Sequence, residues 1–275
     1  MASKLKEEEI KFYTSLLKEN ELLLLKSKDS FFKNHYVGSP LNVITNFSGT
    51  EGEAIIDKNG KVKIFVDTRY HLLVDKQAFP EVEIYKMKLG ETFFQAFQTE
   101  YKKGTVLFVP SDISLVEYLK YDKFFDLRTY KNPEKFLKNS EFNKKAPVFK
   151  VSEEVEKNDF EFKINKFKKI SPDVDKMLVF NLDEISWLTN LRSFQTEFSS
   201  NFRSILYLDL KNSNYILFVD KPKEIPEIPL LKVMKLKDFS DYILSYETPI
   251  LIDYTEITLE NFLSIKKPKE NKVKN

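Results

Sequence analysis

Apolar residues recur along this chain in two rhythms. Leu5, Ile10, Phe12, Tyr13, Leu16 and Leu17 fall on one face of a helix over residues 4–19, with Lys and Glu on the other. Asn20 stops that helix, and the run Leu22–Leu25 that follows is a buried strand. The pattern is sharpest between Asn42 and Phe79. Asn46-Phe47-Ser48-Gly49-Thr50-Glu51-Gly52 is a turn, and Glu53–Ile56 and Lys61–Val66 are short strands joined by Asp57-Lys58-Asn59-Gly60. Asn-Gly between apolar runs marks a tight hairpin, because both residues tolerate positive φ. Asp67 and Thr68 supply cap oxygens for a helix beginning near Arg69 and running through Tyr70, Leu72, Leu73 and Val74.

After Pro80 strands and helices alternate: strand Val82–Tyr85, helix Glu91–Tyr101, strand Thr105–Val109, helix Ser114–Tyr121, strand Phe124–Leu127. A second series comprises strand Met177–Phe180, helix Asp183–Leu191, strands Ile205–Leu210 and Tyr215–Val219 around a turn at Lys211–Asn214, strand Leu230–Val233, helix Phe239–Tyr246, strand Ile250–Asp253 and helix Leu259–Leu263. This alternation predicts an α/β fold in two tandem domains, each a mixed, mostly parallel sheet flanked by helices. The first spans 1–138 and the second 176–265, with 148 as an alternative start. Residues 139–175, charged and punctuated by Pro147 and Pro172, are a linker with one irregular helix, and 266–275 is a disordered lysine-rich tail.

Composition narrows the chemistry. The 275 residues carry 44 Lys plus Arg against 42 Asp plus Glu, a net charge of +2, which is no footprint for nucleic acid. The longest apolar runs, such as Leu22–Leu25, are far short of the about 18 residues a membrane span needs. With no cysteine, thiol nucleophiles, disulfides and thiolate metal sites are excluded, which fits a reducing, cytoplasmic setting. Only His35 and His71 supply imidazole, the usual metal ligand and neutral-pH base.

Few residues stand out as candidate chemistry. Gly49-Thr50-Glu51-Gly52 lacks both the Walker lysine and the dinucleotide glycines. Ser48 lacks a Gly-x-Ser-x-Gly frame and reads as a turn serine bonding its own backbone. His71 and His35 have no second histidine four residues away and read as partly exposed side chains. Asp183-Glu184 and Glu153-Glu154 point in different directions on a helix and complement its dipole. Trp187, the single tryptophan, is placed near the edge of a buried face, with core packing favoured. Arg69 follows its cap at a strand-to-helix junction, where ligands of α/β domains bind. Two readings stand level: a two-pronged grip on a substrate carboxylate, or an internal salt bridge with Asp67.

Two stretches carry a resemblance. Asn42 through Ile56, followed by Phe65-Val66-Asp67-Thr68-Arg69-Tyr70, resembles the first domain of the aminopeptidase P family. Leu182-Asp183-Glu184-Ile185-Ser186-Trp187-Leu188-Thr189-Asn190-Leu191-Arg192 is similar to the second domain of its long, three-domain form, in matching order and separation. Departures are Thr68 for Gly or Ser, Thr50-Glu51 for Ser-Ala, Asn46 for Gly, Ser193 for Gly, and Ser30–Tyr36 where the family has His-x-Ser-Glu-Tyr.

The resemblance implies two creatinase N-terminal-like domains from a metal-dependent Xaa-Pro aminopeptidase. It implies that the two-metal site, usually manganese, belongs to a C-terminal pita-bread domain, with no catalytic or metal-binding residue in this chain. It implies that Arg69, with Tyr70 and His71 as neighbours, reaches toward the bound Xaa-Pro peptide. The partners implied are that catalytic domain, in cis or in trans, the peptide, and a second copy in a homodimer; neither nucleic acid nor membrane is among them. The alternative is a stand-alone binding or scaffold module that kept the fold without the activity. A contact of the lysine tail with nucleic acid is a weaker third.

Overall fold

The computed structural model describes residues 2–28, 31, 39–133, 136, 146–195, 199–245 and 249–266. His35, most of Ser30–Tyr36, the position 138 boundary and the tail beyond Lys266 lie outside them. The chain divides into two compact units, residues 1–141 and 142–275.

In the first unit the strands are β1 (Glu21–Lys26), β2 (Glu53–Asp57), β3 (Val62–Val66), β4 (Glu83–Lys86), β5 (Thr105–Phe108) and β6 (Asp126–Thr129), in spatial order β4-β3-β2-β1-β5-β6. β1–β2 and β2–β3 are antiparallel, while β1–β5, β3–β4 and β5–β6 are parallel. The β2–β3 hairpin closes on Asp57, whose carboxylate accepts from the N–H groups of Asn59 and Lys61, with Gly60 at φ 80°. Its helices are α1 (Ala2–Leu16), α2 (Pro40–Thr45), α3 (His71–Gln77), α4 (Phe93–Glu100) and α5 (Leu115–Tyr121).

Strand alternation sorts side chains into two layers. Leu23, Leu25, Ala54, Ile56, Val62, Ile64 and Val66 share one core with Tyr13, Leu41, Ile44 and Val74 of α1, α2 and α3. On the opposite face Phe65 stacks with Tyr85 and meets Phe93 edge-on, and Phe97 packs against Tyr121 and Phe125. Helices on both faces explain why the central strands are apolar nearly throughout.

The second unit holds β7 (Phe149–Lys150), α6 (Phe160–Ile170), β8 (Lys176–Val179), α7 (Leu182–Thr189), β9 (Leu191–Arg192), β10 (Ser204–Asp209), β11 (Asn214–Val219), β12 (Leu231–Lys235), α8 (Phe239–Leu244) and α9 (Leu259–Ile265). Its main sheet runs β12-β11-β10-β8, and β7 pairs with β9 in a separate ribbon. Only β11–β12 is parallel among those three main pairings, so this sheet is mixed but mostly antiparallel. Phe239 and Tyr242 of α8 meet Phe218 on one face, and Phe160 of α6 meets Tyr215 on the other.

Several local expectations change. The charged stretch 139–175 contains a regular eleven-residue helix, α6, capped by Asp159, and its buried Phe160 and Ile164 join the core of the second unit. In place of a strand over 250–253 there is a single bridge, Leu251 to Met177. The helix expected at Arg69 begins as a 3-10 turn, Thr68–Tyr70, before α3.

Candidate functional site

The first motif is a loop wrapped around one ring. α2 ends at Asn46 in the left-handed region, φ 63°, which turns the chain so that Phe47 enters the core fully buried. Gly49 and Gly52 then pass directly over that ring. A Cβ on Gly49 would lie 2.1 Å from Phe47 Cζ, and one on Gly52 2.9 Å from Phe47 Cε1. Glycine is needed at both because no side chain fits between backbone and ring. Asn46 Nδ2 donates to the Gln77 carbonyl at 2.6 Å, and the Ser48 N–H donates to Gln77 Oε1 at 2.9 Å. The Ser48 hydroxyl therefore bonds the Gln77 side chain, where Nε2 donates to it at 2.8 Å, and not its own backbone.

This loop is tied to the end of β3 at two points. Tyr70 meets Phe47 edge-on at 5.6 Å, and its hydroxyl bonds the Thr50 hydroxyl. Asp67, leaving β3, caps the 3-10 turn by accepting the Arg69 N–H at 2.9 Å. The same carboxylate takes Arg69 Nε at 3.1 Å to each oxygen, and Nη2 at 2.5 Å. Hydrogen bonds from Arg69 hold the Asp67 carboxyl below the usual range, and Asp67 in turn pushes Arg69 up. The Arg69 side chain is 65% exposed, and its guanidinium lies 5.3 Å from the Tyr70 ring centre. His71, next in sequence, is partly buried, and its Nε2 has no hydrogen-bond partner among the described residues. The structure thus joins Arg69, Tyr70 and the Gly49–Gly52 loop, and it shows the Asp67 salt bridge that was one of the two readings of Arg69.

Beneath the loop lies a charged cluster that sequence reasoning missed. Lys26 faces Glu53 across the β1–β2 pair and sits 3.5 Å from it and 2.5 Å from Glu117 of α5. Glu117 also closes a capping box with Ser114. Burial pushes Glu53 up to about 7 against the pull of Lys26. Burial raises Glu117 as well, but the charge and hydrogen bonds of Lys26 and the Ser114 contacts outweigh it and leave Glu117 below its usual value. Lys26 is the closer partner of Glu117, so Glu53 is the carboxylate that bears the cost of burial. These residues are 27 and 64 positions apart, and nothing local in the sequence announces them.

The second motif is a capped helix. Asn181 accepts from the N–H groups of Asp183 and Glu184 at the start of α7, and Asn190 ends it at φ 56°. Lys163 of α6 is 4% exposed and aims its ammonium at the end of α7, donating to the Trp187 carbonyl at 2.7 Å and to Asn190 Oδ1 at 2.5 Å. Burial lowers the Lys163 pKa. Trp187 is 52% exposed, so it is not a core residue; its ring lies against the Lys163 ammonium at 4.8 Å. Asp183 accepts from Asn201 Nδ2 at 2.6 Å, and Glu153 and Glu154 lie exposed in a turn.

Among the described residues, no group of three or more His, Cys, Asp or Glu is placed to hold a metal ion. The donors among the described residues do not fit a two-metal centre. No helix among the described residues is long and apolar enough to cross a membrane.

Residues 139–274 match the Creatinase/Prolidase N-terminal domain family. No curated protein matches the sequence. Among solved structures, the X-prolyl aminopeptidase of Caenorhabditis elegans, described as a cytosolic enzyme with a di-nuclear active site, aligns at TM-score 0.72 and 14% identity. That alignment covers 86% of this chain and 43% of the enzyme, so the chain spans less than half of its length. The N-terminal domain of a putative metallopeptidase from Corynebacterium diphtheriae aligns at TM-score 0.35 and 15% identity, over 47% of this chain and 97% of that one. An aminopeptidase P from Streptococcus thermophilus aligns at 0.35 and 18% identity, over 48% and 94%. The fold expected from the two motifs is the fold found, and residues 139–274 are similar to the creatinase/prolidase N-terminal domains.

Proposed function

We propose that this chain is the non-catalytic N-terminal region of an aminopeptidase P-like Xaa-Pro aminopeptidase. It forms one wall of the peptide cleft while a pita-bread domain, in cis or in trans, holds the two divalent ions, manganese or similar. The reading is carried by one observation: the two-unit fold follows an X-prolyl aminopeptidase over most of this chain but under half of that enzyme. Arg69 is the substrate-facing residue of the wall. It is exposed at the end of a strand, on a turn fixed by Asp67 and by the Tyr70–Thr50 contact. Tyr70 and His71 flank it. Homodimerisation and a cytoplasmic setting belong to the same reading; the absence of cysteine supports the latter.

Isothermal titration of Xaa-Pro peptides into this chain mixed with its metal-bearing domain tests the proposal. Tighter binding than to that domain alone, lost with Arg69→Ala, supports it. No gain on adding the chain contradicts it.

A further inference from the structure

The second unit carries a pocket of its own where β11 ends. Phe202 and Arg203 lead into β10, and Val219 closes β11 opposite Ser204, the first residue of β10. The chain leaving β11 passes through a 3-10 turn, Pro222–Glu224, before it reaches the parallel strand β12. A cavity of about 170 Å³ opens at this end of the sheet. Buried Phe202 and Val219 line it together with half-buried Val148 and Ile225. An apolar cavity of about 150 Å³ holds a benzene ring, so this one takes an apolar body of branched-chain or phenyl size. Ligands of open α/β sheets gather beyond the carboxyl ends of strands, which is where this cavity lies on β11.

The charged side chains around the cavity select the head group. Lys221 and Glu224 hold each other at 2.9 Å across the turn. Arg203 and Asp220 face each other at 3.6 Å, longer than a hydrogen bond, and Asp220 is exposed. A ligand carboxylate approaching Arg203 competes with Asp220, and a ligand ammonium approaching Asp220 competes with Arg203. A head with both charges on one carbon replaces what it displaces: its carboxylate meets the guanidinium and its ammonium meets Asp220. We infer that this cavity is a binding site for a free amino acid with an apolar side chain. Arg203 holds its carboxylate, Asp220 its ammonium, and Phe202 and Val219 its side chain. Every lining residue belongs to the second unit, so the site needs no further domain to form and does not involve Arg69.

The test titrates the full chain with L-leucine and follows the backbone N–H signals of Val219, Asp220, Lys221 and Ile225 by NMR. Isocaproate is leucine without its ammonium, isoamylamine is leucine without its carboxylate, and glycine lacks the side chain. Leucine should saturate those signals with a Kd of about 1 mM or below, and each analogue should bind at least about fivefold more weakly. Asp220→Asn removes one exposed charge just beyond β11. It should weaken leucine and tighten isocaproate, moving their ratio by about fivefold or more. Val148→Phe, which fills the cavity, should abolish leucine binding while the urea midpoint read by Trp187 is kept; if that variant does not fold, Asp220→Asn still decides. Signals that leucine leaves unmoved at about 10 mM would overturn the site. Leucine and isocaproate binding alike, or a ratio that Asp220→Asn leaves unchanged, would overturn the roles of Arg203 and Asp220.

Discussion

The Phe47 ring occupies the space a side chain on Gly49 would need, with only 2.1 Å between its Cζ and the position of a Gly49 Cβ. Phe47 is fully buried among Leu41, Ile44 and Ala54 and cannot swing away. The loop that carries Thr50 toward Tyr70 therefore owes its course to one aromatic side chain and the lack of another.

Gly49→Ala should destabilise the first unit by about 1–3 kcal/mol, the usual cost of overpacking a filled core. Hydrogen exchange of segment 53–66 measures it. Phe47→Leu in the Gly49→Ala background should recover part of the loss by vacating that space; no recovery would mean that the ring is not the obstacle.

The cluster under the loop gives stability a pH dependence. Glu53 binds its proton near pH 7 in the folded chain and near 4.5 when unfolded, so between those values the folded state holds more protons. Stability of the first unit should therefore fall as pH rises from 5 to 8, by about 1–3 kcal/mol from this group. Glu117, lowered, acts oppositely and only in acid: its contribution is lost as pH falls below about 4.5. Denaturant unfolding followed by hydrogen exchange at pH 5 and 8 reads the slope, and Glu53→Gln should flatten it. An unchanged slope in that variant would assign it elsewhere.

In the second unit Lys163 closes the C-terminal end of α7. Lys163→Met keeps the aliphatic stem but leaves the Trp187 carbonyl and Asn190 Oδ1 without their donor. The expected loss is about 2–4 kcal/mol, as for a buried charged hydrogen bond left with one side. Trp187, the single tryptophan and lying against that ammonium, reports it by fluorescence during urea unfolding.

Arg69→Ala should leave the stability of the first unit nearly unchanged, because the ion pair is solvent-exposed. A larger loss, measured by the same exchange, would make Arg69 a structural residue.

Much of the fold was legible because local chemistry and tertiary role agree. Asn59-Gly60 marks the hairpin, and Leu22–Leu25 is apolar at every position because the sheet is covered on both faces. α2 is not legible in the sequence because Val43, Ile44 and Thr45 are β-branched and its six residues show too little periodicity, although Ser39 and Pro40 are a helix start. The exposed position of Trp187 is not legible because its partner is a buried lysine 24 residues away, and lysine is the last residue expected inside. Lys26, Glu53 and Glu117 meet only through sheet register and helix packing, which no single stretch of sequence encodes. Arg69 was found from its junction, whereas the edge it presents is set by Asp67 geometry that sequence leaves open.

Turnover of an Xaa-Pro tripeptide in manganese, compared for this chain alone, its metal-bearing domain alone and the two mixed, tests most directly whether the chain supplies a cleft wall without the chemistry. No cleavage by the chain alone and faster cleavage by the mixture than by the domain is the expected result. Stoichiometric manganese uptake and peptide cleavage by this chain alone would contradict it.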